Sequence, residues 1–403
     1  MTSLETSSAA PQSQSAFFAI LIAVSAIGPL ALNIFIPSMP GLQAEFGISY
    51  STVQYTLTLY LIGMALCQLV YGPLSDRFGR RPLLLAGLAL FVVASFAAAL
   101  ARSIEVLAVA RLLQAVGGAA GIVLARTMIR DVFPREKSAS VIAYVTMAFV
   151  VAPMVAPVLG GALDGIAGWR SGFWLMAGLG ALTLAAAWRA APETHAGRGA
   201  AGQASFFASA ATLFAIPRFR NYVLTLAFSA CVFFAFLGGA PHIMADVLHR
   251  TPVEYGLWFI PVSMGYMGGN FLSGRFSEKL GLDRLILAGN IITMAGGLLC
   301  LAAAISGWLS PLTLFLPMGV AAFGNGLTLP NGIAGAISVN ARMVGAAAGW
   351  AGFAQMGSSA LLSQLVGSLE NHWPFAMFWF MAAAALLSLL NHAWGMRQAG
   401  VQA

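Results

Sequence analysis

The sequence Gly72-Pro-Leu-Ser-Asp-Arg-Phe-Gly-Arg-Arg81 directly follows a long apolar run, and the related sequence Gly274-Arg-Phe-Ser-Glu-Lys-Leu-Gly281 follows another. Gly72, Asp76, Arg77 and Gly79 correspond to a glycine, an acid, a base and a glycine in the second stretch, at a constant offset of 202 residues. That offset is half of the 403-residue chain. Four matching residue types at the same point of each half indicate an internal repeat and predict two similar halves.

The composition of the chain excludes a soluble protein. Hydrophobic residues make up 59% of the sequence and charged residues only 8%, with a mean hydropathy of +0.85. A soluble domain is about 25% charged. No soluble fold of this size covers so much apolar surface with polar groups. Soluble enzymes and disordered scaffolds are therefore excluded, and the chain is expected in a bilayer.

Twelve apolar runs are long enough to cross a membrane as helices, because a spanning helix needs about 20 apolar residues. They cover roughly residues 17–37, 50–72, 83–101, 105–126, 138–161, 171–189, 219–240, 254–273, 285–305, 311–332, 344–367 and 374–394. Their unbroken apolarity is typical of helices, since the strands of a membrane barrel alternate between polar and apolar residues. We therefore predict an all-α membrane protein with twelve transmembrane helices in two pseudo-symmetric six-helix bundles.

The longest polar stretch, residues 190–217, divides the twelve runs into six and six. Its Ala, Gly and Ser content and its prolines are typical of a linker between domains. The predicted organisation is a disordered cytoplasmic N-terminus, a first bundle, a cytoplasmic linker, a second bundle and a cytoplasmic tail, at residues 1–16, 17–189, 190–217, 218–396 and 397–403.

The distribution of basic residues predicts the orientation. With the N-terminus inside, 16 of the 20 Lys and Arg residues fall in cytoplasmic segments, three fall outside and Arg111 lies within a span. Cytoplasmic loops of membrane proteins carry this excess of positive charge. We expect both termini in the cytoplasm and a location in a bacterial inner membrane. The net charge of +7 then reflects topology, and no nucleic-acid partner is expected.

Several motifs resemble those of the major facilitator superfamily. The stretch from Gly72 to Arg81 is similar to that family's motif between helices 2 and 3. Arg111-Leu-Leu-Gln114-Ala-Val-Gly117 resembles its helix 4 motif, and Ala156-Pro157-Val-Leu-Gly160-Gly161 resembles the helix 5 motif of its exporting antiporters. Arg126-x-x-x-Arg130-Asp131 and Pro330-Asn331-x-x-Ala334 are similar to the bicyclomycin-resistance (Bcr/CflA) branch of drug/proton antiporters.

The resemblance implies two halves around a substrate cavity lined by helices 1, 4, 7 and 10, with a gate at the cytoplasmic side. Asp76 is expected to meet the positive N-terminus of helix 11 near Val344, and Arg80 to pair with Asp131. The alternative is that these charges only set topology. The residues expected to act in gating are Gly72, Asp76, Arg77, Gly79, Arg80, Arg130, Asp131, Pro157, Gly160 and Gly161.

Arg111 is the strongest candidate for a substrate or coupling residue. It lies about six residues, or roughly 9 Å, inside helix 4, and a charge at this depth faces the protein interior or a wet cavity. The alternative is an arginine that snorkels to the outer interface. Helix 1 of the Bcr/CflA pattern carries an acid where this chain has Asn33, at a depth similar to that of Arg111. Proton exchange at residue 33 is therefore not possible, and Arg111 lacks that counter-ion.

The predicted substrate and coupling site contains polar and aromatic residues from both halves. Amides supply hydrogen bonds and aromatic rings supply an apolar wall. For each of these residues the alternative is ordinary packing between helices. The site is expected to contain Asn33, Arg111, Gln114, Tyr144, Phe236 and Asn331.

The predicted function is export of small amphipathic compounds, linked to protons as the resemblance implies. The alternative is a uniporter or importer of an anionic metabolite or siderophore, whereas a receptor or scaffold would need a larger extramembrane domain. The sequence contains neither a zinc-protease motif nor a phosphate-binding loop, so we expect no enzymatic activity, cofactor or metal. The expected partners are a small-molecule substrate, protons and the lipid bilayer, and the chain is expected to be a monomer.

Overall fold

The computed structural model describes residues 11–132, 155–194, 206–340, 343–369, 373 and 375–401. These residues form helices joined by turns, and no strand occurs among them. Helices suit a bilayer because they satisfy their backbone hydrogen bonds internally where water is absent. The predicted all-α class is confirmed.

Twelve of the described helices correspond, in chain order, to the twelve apolar runs that the sequence predicted. They are α1 (Pro11–Ile34), α2 (Tyr50–Phe78), α3 (Arg80–Ala99), α4 (Ile104–Val132), α5 (Val155–Ala167, the described part), α6 (Arg170–Ala190), α7 (Pro217–His242), α8 (Ile260–Leu280), α9 (Leu282–Ile305), α10 (Pro311–Ser338), α11 (Val344–Leu369) and α12 (Ala376–Val401). Within the described ranges, nine of them are long and apolar enough to cross a membrane. The other three helices are α5, α8 and α11.

The first helix differs from its predicted bounds at both ends. It begins at Pro11, inside the stretch predicted as disordered, and it ends at Ile34. A short 3-10 turn over Ile36–Ser38 and a short helix over Met39–Phe46 follow. Pro37 explains the early end, because proline lacks the N–H that would continue the helix and disfavours helical geometry in the preceding residue.

The predicted linker, residues 190–217, contains a helix of its own. Residues Phe206–Ala215 are helical, with Leu213 fully buried. The Phe214 ring packs edge-on against Phe219 of α7 and Trp350 of α11, at centroid distances of 5.3 and 5.9 Å. The described end of the linker is therefore docked on the C-terminal half rather than extended between the halves.

The repeat found in the sequence forms the same turn in both halves. Gly79 separates α2 from α3 with φ of 95°, and Gly281 separates α8 from α9 with φ of 81°. Positive φ favours glycine because it has no Cβ to clash with the backbone. We call the end of the bundle that carries these two turns the basic end, since the loop from Gly72 to Arg81 lies there, and we call the other end the opposite end.

Helix α5 contacts the C-terminal half closely at the opposite end. Gly161 packs against the backbone of Pro252, and Gly256 packs against the carbonyl of Pro157. A Cβ built at either glycine would collide with these backbone atoms. Small residues permit such close approach between membrane helices. The backbones of the two halves therefore touch here.

Candidate functional site

Arg111 of α4 is fully buried in the N-terminal half. Its Nη1 donates to the Ala31 carbonyl at 3.0 Å and to Gln114 Oε1 at 2.6 Å. The guanidinium carbon lies 4.1 Å from the Tyr60 ring centroid and 4.6 Å from that of Phe35. A cation over an aromatic face is stabilised by about 0.5–2 kcal/mol, more when it is desolvated. The surroundings of Arg111 therefore hold its charge inside the bundle, and it does not snorkel to an interface.

A chain of hydrogen bonds extends from Arg111 to neighbouring helices. Gln114 Nε2 donates to Ser95 Oγ of α3 at 2.8 Å, and Tyr60 Oη of α2 donates to the Gly28 carbonyl of α1 at 2.8 Å. Connected buried hydrogen bonds fix the relative positions of the groups that make them. The Arg111 cluster thus ties α1, α2, α3 and α4 together.

Three buried polar atoms near this level have no hydrogen-bond partner among the described residues. They are Nε and Nη2 of Arg111 and Oδ1 of Asn33. Unpaired buried polar atoms are costly, by about 1–3 kcal/mol each and more for charged groups. Such atoms are suited to receive a ligand or a water molecule.

Asn33 is a residue of α1, and Arg111 contacts α1 from α4 without bonding to the Asn33 side chain. Asn33 is 2% exposed, and its Nδ2 donates back to the Pro29 carbonyl at 2.9 Å. Arg111 instead reaches Ala31 and Phe35. Residue 33 lies about 3 Å along the helix from residue 31 but is rotated by about 200° from it. The similar depth expected from the sequence is found, but the described contacts do not join the two side chains.

Polar side chains bridge α2 and α11 toward the opposite end. Three pairs cross between the halves: Ser51 with Ser368 at 3.1 Å, Gln54 with Ser363 at 2.6 Å, and Thr58 with Gln364 at 2.8 Å. Each such bond contributes about 1 kcal/mol net. We call these six residues the polar bridge. The sequence gives no local signal for the polar bridge, because its paired hydroxyl and amide groups are 306 to 317 residues apart.

The loop at the basic end forms an ion-pair cluster around Arg80. Nη1 of Arg80 lies 2.6 Å from Asp76 Oδ1, and Nε lies 3.2 Å from Asp131 Oδ2. Arg80 also donates to Ser75 Oγ, and its side chain is only 7% exposed. A burial this deep is tolerated because the guanidinium meets two carboxylates. The expected contact between Arg80 and Asp131 is present.

Glu193, which follows α6 in the chain, also belongs to this cluster. Its carboxylate accepts the backbone N–H of Arg80 at 3.0 Å and that of Arg81 at 3.3 Å. These are the first amides of α3, whose N-cap is Gly79 and has no side chain to cap them. A helix that begins after a glycine needs a capping group from elsewhere, which was the only signal in the sequence. The group that caps α3 is 112 residues away in the chain.

Among the described residues, no hydrogen bond or ion pair joins Asp76 to the start of α11. Its carboxylate pairs with Arg80 and its side chain is 38% exposed. A side chain added at Gly72, or at Gly345 in the first turn of α11, would meet no atom within 4 Å, whereas Gly352, two turns further along α11, packs against Gln68 of α2. The expected contact between Asp76 and α11 stays a prediction.

The other predicted residues lie away from Arg111. Asn331 joins α10 to α8, because its Nδ2 donates to Ser273 Oγ and its Oδ1 accepts from Ser277 Oγ, both at 2.8 Å. Phe236 is fully buried against Phe315, with ring centroids 5.3 Å apart. Both residues have packing partners, and their role in the substrate site stays a prediction.

Two further predicted gating residues have positions in the structure, and two predicted residues fall outside its described parts. Gly160 packs on the Ile34 carbonyl of α1, within the N-terminal half. Arg77 is exposed with its guanidinium 5.3 Å from the Phe78 ring centroid. Tyr144 and the side chain of Arg130 lie outside the described residues.

Comparison with known proteins gives relatives over nearly the whole chain. Multidrug resistance protein D of Escherichia coli (strain K12) is 29% identical over 372 residues, which are 92% of this chain and 93% of that protein. The bicyclomycin resistance protein homolog of Haemophilus influenzae (strain ATCC 51907 / DSM 11121 / KW20 / Rd) is 27% identical over 389 residues, 94% of this chain and 96% of that protein. The resemblance to the bicyclomycin-resistance branch is confirmed.

The fold is also that of a solved transporter. The crystal structure of a D-xylose-proton symporter matches with a TM-score of 0.79 at 16% identity, covering 95% of this chain and 97% of that one. An identity this low supports the fold alone. The family described as Major Facilitator Superfamily matches residues 21–363. The chain therefore belongs to the Major Facilitator Superfamily and is a membrane transporter, not an enzyme.

Proposed function

We propose that this protein exports small amphipathic compounds across a bacterial inner membrane by alternating access. The observation that carries the proposal is the way in which the two halves are joined toward the opposite end. The hydrogen bonds of the polar bridge and the contact between Gly161 and Pro252 hold the halves together there. Relatives named for resistance to multiple drugs and to bicyclomycin support a drug-like substrate.

The orientation follows from the excess of basic residues in the loops of one side. With 16 of 20 Lys and Arg residues there, the basic end is the cytoplasmic one and both termini are cytoplasmic. The polar bridge then lies toward the outside. A compound would enter from the cytoplasm and leave after the polar bridge breaks and the basic end closes.

Any coupling to protons runs through a group other than residue 33. Asn33 cannot exchange a proton, and its Oδ1 atom is buried without a partner among the described residues. We propose that export is linked to protons, because the chain resembles a branch of drug/proton antiporters. The second candidate is transport of an anionic metabolite, favoured by Nε and Nη2 of Arg111, two donor nitrogens that have no partner among the described residues.

Replacement of Arg111 is expected to abolish transport. Arg111→Ala removes both hydrogen bonds and the cation held by Tyr60 and Phe35. Arg111→Lys keeps the charge but not the planar fork, and should retain transport reduced by about 10- to 100-fold, since a hydrogen bond to a charged group contributes about 1.5–3 kcal/mol. The measurement is substrate uptake into everted membrane vesicles at equal protein amounts. The exposed residue Arg102 provides a matched control in Arg102→Ala.

Uptake by Arg111→Ala at the native rate would contradict a role for Arg111. Absence of uptake by the native protein for every amphipathic drug, together with uptake of an anionic metabolite, would favour the second candidate.

A carboxylate at residue 33 is expected to give transport a new pH dependence. An aspartate there can gain and lose a proton in a buried position, so Asn33→Asp should add an inflection to the pH profile of flux. Flux is measured in proteoliposomes with imposed pH gradients. Asn270→Asp is the matched control, because Asn270 of α8 also donates to the carbonyl four residues earlier, that of Tyr266, at 2.8 Å. An unchanged profile in Asn33→Asp would place residue 33 outside the transport pathway.

Loss of the Asp76 carboxylate is expected to slow cycling without unfolding the protein. Asp76→Asn removes one of two acids from Arg80, and a partly exposed ion pair contributes only up to about 1 kcal/mol to stability. Transport should fall severalfold while thermal stability stays near native. Glu278→Gln is the matched control, since Glu278 is the equivalent acid but Leu282 stands where Arg80 would be. Native transport by Asp76→Asn would exclude the gate role.

A further inference from the structure

A histidine and a carboxylate form a pair at the opposite end, where α7 ends. Nδ1 of His242 lies 2.5 Å from Oδ2 of Asp246, which belongs to the single π-helical turn Ile243–Val247 that follows α7. The His242 side chain is 12% exposed, whereas that of Asp246 is 47% exposed. The imidazole is thus largely covered by protein, while its carboxylate partner is open to water, so a proton can reach the pair from the solution at this end.

The imidazole of His242 also contacts the other half of the protein. Its ring centroid lies 4.9 Å from that of Tyr50, the first residue of α2, with the two ring planes 35° apart. Tyr50 is fully buried, and its Oη donates to the Gly238 carbonyl of α7 at 2.9 Å. A Cβ added at Gly238 would lie 2.9 Å from Oγ of Ser363, a member of the polar bridge. His242 is therefore one helical turn away from the contacts that join the two halves.

The other charged groups near the end of α7 have partners of their own. Among the described residues, Asp246 is the one carboxylate within ion-pair distance of the His242 ring at this end. The described parts of α10 and α11, which also pack on α7, carry no charged side chain, and α12 carries its charge toward the basic end. The pairs on the remaining nearby elements are Glu45 with Arg170 at 2.7 Å, Arg250 with Glu254 at 3.2 Å, and Asp164 with Ser38. The charge of His242 therefore interacts with Asp246 and with the Tyr50 ring.

A protonated His242 is attracted by both of these neighbours. The Asp246 carboxylate forms an ion pair with an imidazolium, and the face of the Tyr50 ring attracts a cation. Asp246 belongs to the same half as His242 and stays beside it in any state of the transporter. Tyr50 belongs to the other half, so this contact is lost when the halves separate at the opposite end. The proton is therefore bound more tightly when the halves are joined there.

We propose that His242 is a proton-binding site whose occupation favours closure of the opposite end. The inference rests on the proposed alternating access and orientation, in which this end faces outside. A proton taken up from the outer solution makes the imidazolium that Tyr50 binds, and release of the proton favours separation. A contact between a cation and an aromatic ring at a partly exposed site corresponds to a factor of about two to five in an equilibrium constant. Protonation should raise the ratio of joined to separated molecules by that factor.

A distance across the opposite end, measured against pH, tests the proposal. Spin labels replace Ala44 and Ser306, two exposed residues at this end that lie in different halves, and the three buried native cysteines are replaced by alanine. The full-length protein in nanodiscs is measured by pulsed electron paramagnetic resonance between about pH 5 and 8, the range in which histidine changes charge. The ratio of the short to the long distance should fall about two- to fivefold as the pH rises. His242→Gln should abolish this fall.

Two further variants separate the roles of the neighbours. Asp246→Asn should keep the size of the fall but move its midpoint to lower pH, because the carboxylate favours the imidazolium in both states. His249→Asn is the matched control and should keep both size and midpoint. His249 is an exposed histidine at the same end, and its φ of 51° is one that asparagine tolerates.

The results also distinguish this inference from the proposed function. A fall that persists in His242→Gln, or one that is lost in His249→Asn, would overturn the role of His242. A native distance that responds to substrate but not to pH would overturn it as well, while leaving alternating access intact. A distance that responds to neither would overturn both.

Discussion

The two halves of this transporter are joined by hydrogen bonds and backbone contacts at the opposite end, and the mechanism that we propose depends on them. The polar bridge between α2 and α11 hydrogen-bonds across the halves, and α5 touches the other half through backbone atoms of Gly161 and Pro252. Hydrogen bonds of about 1 kcal/mol each are strong enough to favour one state and weak enough to break during a cycle. In the cycle that we propose, closure at the basic end needs a different set of contacts, and the cluster around Arg80 is the proposed source of them.

The two halves share a fold but not their charges. Gly79 and Gly281 make the same turn, yet Arg80 of the first half is replaced by Leu282 in the second. The N-terminal half holds its buried cation, Arg111, with aromatic rings and a backbone carbonyl rather than with a carboxylate. The repeat gives the two halves the same turn, while the N-terminal half carries the charged contacts described above.

The sequence predicted what depends on local residue type. Apolar runs predicted the twelve helices. The repeated glycines coincide with turns that need positive φ, and the family motif predicted the contact between Arg80 and Asp131. It failed where the partner is distant or the helix rotation matters. Glu193 caps α3 from beyond α6. Arg111 bonds the carbonyl of Ala31 rather than the side chain of Asn33, which bonds the carbonyl of Pro29.

The central claim is that closure of the two ends alternates, and paired distance measurements test it most directly. Spin labels at Arg77 and Lys279 report on the basic end, and labels at Ala44 and Val247 report on the opposite end, all at exposed positions. Across substrate and pH conditions, pulsed electron paramagnetic resonance should show the first distance shortening as the second lengthens. Two distances that stay fixed, or that lengthen together, would contradict alternating access.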